Sequence, residues 1–196
     1  MTTVALKEWS AAIHALLAGR QTVLLRKGGI HEKRFEVSAS EFLLFPTVAH
    51  SHAERVRPEH RDLLTPAVAD SNESHIVLRG AAKVIAAVEV HHPEQLDAIA
   101  DLHIWTTDSV RTDRMDFRPK HRLTVLVVQA SPLAEPFRLA RTPDFAGCKS
   151  WIPLPAGPAV GAPVHDATTL QAIADRVRYR VGAVGSTSRD GVSPPR

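Results

Sequence analysis

Cysteine is almost missing from this chain of 196 residues: Cys148 stands alone, so no intramolecular disulfide can form. The longest rich apolar run, from Val84 to Val90, is short and carries Glu89, well below the roughly 20 apolar residues that a membrane-spanning helix needs. At its start, MTTVALKEWS lacks the basic residues and apolar core of a secretory signal. Neither sign of charge dominates, since the net charge is +3 with a pI near 9.3, compatible with a polyanionic partner but without a histone-like excess. Together these shortages lead to the expectation of a cytoplasmic protein in a reducing compartment, with no membrane partner.

What is present is an ordinary globular composition, 44% hydrophobic and 23% charged, over a length that one core can organise. A single domain over residues 1–183 is expected. Residues 184–196 hold small, polar, charged and proline residues with two valines, and are read as a disordered tail.

Leu6, Trp9, Ile13, Leu16 and Leu17 recur at helical steps, which predicts a helix over residues 5–17 stopped by Gly19. Residues 21–27 predict a strand, and Gly28-Gly29 a tight hairpin turn into a return strand. Strands are also expected at 41–47, ended by Pro46, across 75–90 with a bulge or turn at Gly80, and at 123–129. The last, LTVLVVQ, is continuously apolar and so predicts burial on both faces and a central place in the sheet. Short helices are expected near 57–70, 93–102 and 107–114. The prolines that follow position 131 predict an extended, looping region with a short strand at 150–154. Asp166 is placed to cap a final helix that ends at Gly182. These elements imply an α+β fold, a mixed and largely antiparallel sheet, open or partly closed as a barrel, packed by three or four helices.

Several strings occur together: LKEW, GRQTVLLRKGGI, FLLFPT followed by His50, HIW at 103–105 and GCKSW at 147–151. In this combination, over roughly residues 5–155, the chain resembles a bacterial family known only as domain of unknown function 1802. The resemblance implies a soluble bacterial protein and brings no activity, cofactor or catalytic residue. A weaker similarity concerns the ASCH branch of the pseudouridine-synthase-like barrels, whose pattern is G-x-K-x-x-E-x-R. Gly19 and Arg26 match its ends, whereas Gln21 and Leu24 replace the lysine and the glutamate. That similarity implies at most a barrel-like fold and an RNA-associated surface.

Three groups of residues point to chemistry. Arg26, Lys27, Gly28 and Gly29, with Lys33 and Arg34 close behind, join glycine N–H groups to cations in the manner of a phosphate site; the same residues equally suit an exposed hairpin. No Walker pattern is present, because Ile30 follows Gly29. His50, His52 and Glu54 alternate, so an extended segment would turn two imidazoles and a carboxylate to one side around a divalent metal, with His103 as a candidate further ligand; a polar loop explains them as well. Cys148 between Gly147 and Lys149, and the three tryptophans Trp9, Trp105 and Trp151, read more simply as packing residues than as a nucleophile or base-stacking platform. Further positive charge gathers at Arg111, Arg114, Arg118, Lys120 and Arg122. The leading expectation is a module that binds nucleic acid or a phosphorylated small molecule through the basic glycine turn. The alternatives are a metal-assisted hydrolase or nuclease at the histidines, and a protein-interaction or structural domain.

Overall fold

The computed structural model describes residues 2–28, 35–48, 52–116, 122–147, 149–155 and 157–183. Six strands, β1 (Thr2–Trp9), β2 (Val23–Lys27), β3 (Glu41–Thr47), β4 (His75–Glu89), β5 (Leu123–Ala140) and β6 (Trp151–Pro155), form one sheet in the order β2-β5-β4-β3-β1-β6. Only the β1–β3 pair is parallel, so the sheet is mixed and largely antiparallel, as the sequence predicts. It is open, with β2 and β6 at its two edges. Pro153 and Pro155 sit in the edge strand β6, where a missing N–H costs the ladder least.

The long β4–β5 pair is the spine. Residues 123–128 are buried without a break, which fits the doubly covered strand expected of LTVLVVQ, although β5 lies second from an edge. Along β4 the register shifts between Leu78 and Gly80 and again between Val84 and Ala86, so Gly80 marks a bulge in one bent strand.

Helices close both faces. On one side α5 (Ala167–Val181) lays Leu170, Ala174, Val177 and Val181 onto Val23, Leu25, Val88, Val125 and Val127, with the 3₁₀ segment Pro93–Leu102 beside it. On the other side Leu6, Leu24, Leu44, Leu126 and Val128 pack with Ile13 and Leu16 of α1 (Ser10–Leu17). The remaining short helices are α2 (His52–Arg55), α3 (Leu64–Val68) and α4 (Thr107–Val110). No helix among the described residues is long and apolar enough to cross a membrane.

Asp166 caps α5 by accepting the Thr169 N–H at 2.7 Å. At its other end the chain turns so tightly that a Cβ on Gly182 would lie 2.6 Å from the Arg178 carbonyl oxygen and 3.2 Å from Val88. Gly182→Ala should therefore cost about 1–3 kcal/mol in chemical denaturation, the range of an overpacked site. A neutral substitution would show that this turn can open.

Three expectations are corrected. Residues 2–9 are a strand rather than the start of a helix, because β1 pairs with β3 on one side and β6 on the other. Among the described residues no return strand pairs with β2, whose ladder partner is β5, and residues 29–34 lie outside them. And β5 does not end before the prolines: it runs to Ala140, with Pro132 opposite Gly80 where the ladder is already irregular.

Candidate anion-binding site

Side chains alternate along β1, so Leu6 and Glu8 share one side of the strand. Glu8 is only 3% exposed, and a carboxylate held that deep must be satisfied. Its Oε1 accepts the Trp9 N–H at 2.8 Å, and its Oε2 accepts from Arg26 Nη1 at 3.1 Å. Arg26, on the edge strand β2, also donates to the Lys7 carbonyl at 3.0 Å and to Ser150 Oγ at 3.1 Å. One guanidinium thus spans the gap between the two edges of the open sheet. Its face rests on the Phe35 ring, 5.1 Å from the centroid.

Next to Glu8 the Trp9 ring meets Trp105 edge-on, 5.0 Å between centroids and 84° between planes. Trp105 is brought there by the segment after residue 102, tied to the Val56 region by an isolated bridge. Arg55 of α2 lies 5.1 Å over Trp9 and pairs with Asp113 at 2.6 Å. Arg114, on a π-helical turn Arg111–Asp116 that follows α4, lies 6.0 Å over the same ring. Lys27 donates to the Met115 carbonyl at 3.3 Å, which ties β2 to that turn.

Four cations, Arg26, Lys27, Arg55 and Arg114, therefore gather around two carboxylates, Glu8 and Asp113. Arg114 bears the imbalance. Burial of its charged end, and then the Arg26 and Arg55 guanidiniums, push its pKa below the ordinary arginine value, against the opposing pull of Glu8 and Asp113. Among the described residues no hydrogen bond or ion pair reaches its guanidinium. Together with the tryptophan face, this is a setting in which a phosphate or another anion would be stabilised.

The family model of "Domain of unknown function (DUF1802)" matches residues 5–176. The chain belongs to this family. No curated protein matches the sequence. Among solved structures the member is similar to ASCH from Zymomonas mobilis, at 13% identity and a TM-score of 0.44, covering 87% of this chain and 93% of that one. A tyrosine-to-phenylalanine mutant of the same protein gives 14% identity, the same TM-score, and coverage of 87% and 95%.

Of the residues singled out by sequence, Arg26 and Lys27 are in this region, but their side chains turn inward to protein partners rather than outward from a hairpin. Gly28 is adjacent. Gly29, Lys33 and Arg34 lie outside the described residues, as do His50, Cys148 and the tail 184–196. His52 and Glu54 fall in the helical turn α2 rather than in an extended segment. Among the described residues no group of three His, Cys, Asp or Glu is placed to hold a metal ion. His103 is 2% exposed and its Nδ1 accepts the Trp105 N–H at 3.2 Å.

One further cluster contains the residue types of a hydrolase triad. Asp70, 1% exposed, accepts from Ser10 Oγ at 2.6 Å, His14 Nε2 at 2.7 Å and Arg79 Nε at 2.5 Å. The wiring is wrong for catalysis, since in a triad the histidine bridges serine and aspartate. Here the aspartate is the hub, and serine gains no base. Arg55 gives no sign of a site in the sequence, because only proximity in space, not spacing along the chain, brings it to Trp9, and Trp105 reads there more simply as a packing residue. Arg114 has one signal, its place in the basic run from 111 to 122.

Proposed function

We propose that the protein binds nucleic acid or a phosphorylated ligand at the cleft between β1, α2 and the turn that carries Arg114. The observation that supports this reading most is Arg114 itself: a guanidinium held among other guanidiniums, on an aromatic face, with no counter-ion of its own among the described residues. A phosphate at the mouth of the cleft would relieve that repulsion. Lys27, Arg55 and Gly28 adjoin the same anion, and Gly29, Lys33 and Arg34, next along the chain, belong to the proposed surface. Arg26 serves it indirectly by holding Glu8 and the sheet edges in place. A cytoplasmic setting, rich in both kinds of ligand, suits the proposal.

The test is fluorescence anisotropy with labelled single-stranded RNA at low salt, beside calorimetry with a mononucleotide. Arg114→Met should weaken binding by about tenfold, or ~1.4 kcal/mol. Its melting temperature should be unchanged or higher, because the substitution removes a charge that the unliganded protein does not stabilise. A steep loss of RNA affinity with salt points to several phosphates, and a shallow one to a single phosphate. Absence of binding to both probes, or equal binding by Arg114→Met, would overturn the proposal.

A further inference from the structure

The other side of the turn that carries Arg114 has the opposite character. A cavity of about 280 Å³ lies between the 3₁₀ segment Pro93–Leu102, α4 and the turn Arg111–Asp116, close to the lower end of small-ligand sites at roughly 300 Å³. Leu96, Val110 and Met115 supply its apolar wall. Among the described lining residues Glu94, Asp97 and Asp116 outnumber one cation, Arg111, which favours a positively charged ligand at that end. Glu94 is paired with His92 at 3.2 Å, and Asp97 accepts from Thr107 Oγ1 at 3.2 Å; both carboxylates keep oxygens available to the cavity side.

Carboxylates on a surface would by themselves mean little. The second observation is His103, which lines the same cavity although it is 2% exposed. Its Nδ1 accepts the Trp105 N–H, which fixes the neutral ring in the tautomer that carries its proton on Nε2. Among the described residues nothing accepts that proton. A ligand acceptor in the cavity could take that hydrogen bond.

We infer that this cavity is a second binding site, for a small organic cation: an ammonium group at the acidic mouth, a short apolar chain over Leu96, Val110 and Met115, and a carbonyl acceptor at the His103 Nε2–H. It is independent of the anion cleft, from which the turn Arg111–Asp116 divides it. Each face of that turn thus meets a ligand of charge opposite to its own.

A matched series tests the inference by calorimetry or ligand-observed NMR on the full chain. The probe is δ-aminovaleramide; valeramide lacks its ammonium group, and glutaramate replaces that group by a carboxylate. The cationic amide should bind, the neutral one at least tenfold more weakly, and the anionic one not measurably. Met115→Trp should abolish binding by filling the cavity. Because that variant can fail to fold, Glu94→Gln with Asp97→Asn, both at exposed residues, provides a second arm and should weaken the cation several-fold while leaving valeramide unchanged. No binding of δ-aminovaleramide, equal affinities across the series, or binding untouched by the Glu94→Gln and Asp97→Asn pair would overturn the inference. None of these outcomes touches the Arg114 proposal, whose probes are anions.

Discussion

Replacing Asp70 by alanine is expected to remove about 3–5 kcal/mol of stability, the cost of breaking a buried charge network by deleting one member. The aspartate joins three parts of the fold: Ser10 and His14 from α1, its own segment after α3, and Arg79 from β4. Burial raises its pKa, but the hydrogen bonds from His14, Ser10 and Arg79 outweigh that and hold it below the ordinary aspartate value. Without the carboxylate, the Ser10 hydroxyl is left buried with no acceptor and Arg79 loses its counter-charge. Ser10→Ala, which removes a donor and leaves the ion pairs, should cost nearer 1 kcal/mol. Urea unfolding of the two variants measures the contrast. A loss below about 1 kcal/mol for Asp70→Ala would mean that the network is not holding α1 to β4.

Acidification should destabilise the protein before any carboxylate of ordinary pKa titrates. His103 has its pKa lowered from 6.5 to about 4, by burial first and then by the Arg57 cation. The unfolded chain therefore binds a proton that the folded one refuses in the interval between these values. Stability rises with pH wherever the unfolded state holds more protons, so the contribution is complete above pH 6.5 and is lost as pH falls toward 4. Its size is about 3 kcal/mol, because each tenfold difference in proton affinity between the two states is worth ~1.4 kcal/mol. His60, also lowered by burial and by Arg57, acts with the same sign. Asp70 acts lower still: its depressed pKa gives stability that is present above the unfolded aspartate value and disappears as pH falls through the folded one. His103→Asn keeps an acceptor for the Trp105 N–H but cannot be protonated, so its stability should be nearly flat across the interval. An unaltered slope in that variant would assign the acid sensitivity to other groups.

The parts of the fold that are legible in the sequence are those whose burial is decided locally. LTVLVVQ is covered on both faces, and its unbroken apolar run says so; α5 carries its own cap in Asp166 and its own stop at Gly182. β1 is disguised because Leu6, Trp9, Ile13 and Leu16 make one continuous helical stripe across what is really a strand followed by a helix. What makes residues 2–9 a strand is pairing with Ala5↔Leu43 and Ala5↔Ile152, partners 38 and 147 positions away. Prolines hide the second half of β5, since their missing N–H groups normally argue against a strand interior, yet Pro132 falls where the β4 bulge has already broken the ladder. At the cleft, the sequence points to Arg26 and Lys27 but not to their inward posture. Nor can it show that Trp9, Arg55, Trp105 and Arg114, from four separate segments, surround one point.

The position of β1 also sets an order of assembly. As the first strand to be synthesised, it cannot take its place until β3 exists, and it has no second neighbour until Trp151–Pro155 emerges near the other end. The β4–β5 pair, by contrast, has most of the sheet's length in two strands and needs neither terminus. Pairings that enclose long stretches of chain carry a larger closure entropy and form late. The β1–β6 pair, which closes the longest stretch of chain in the sheet, therefore forms late, and the outer edge of β1 stays open to any other extended chain in the meantime.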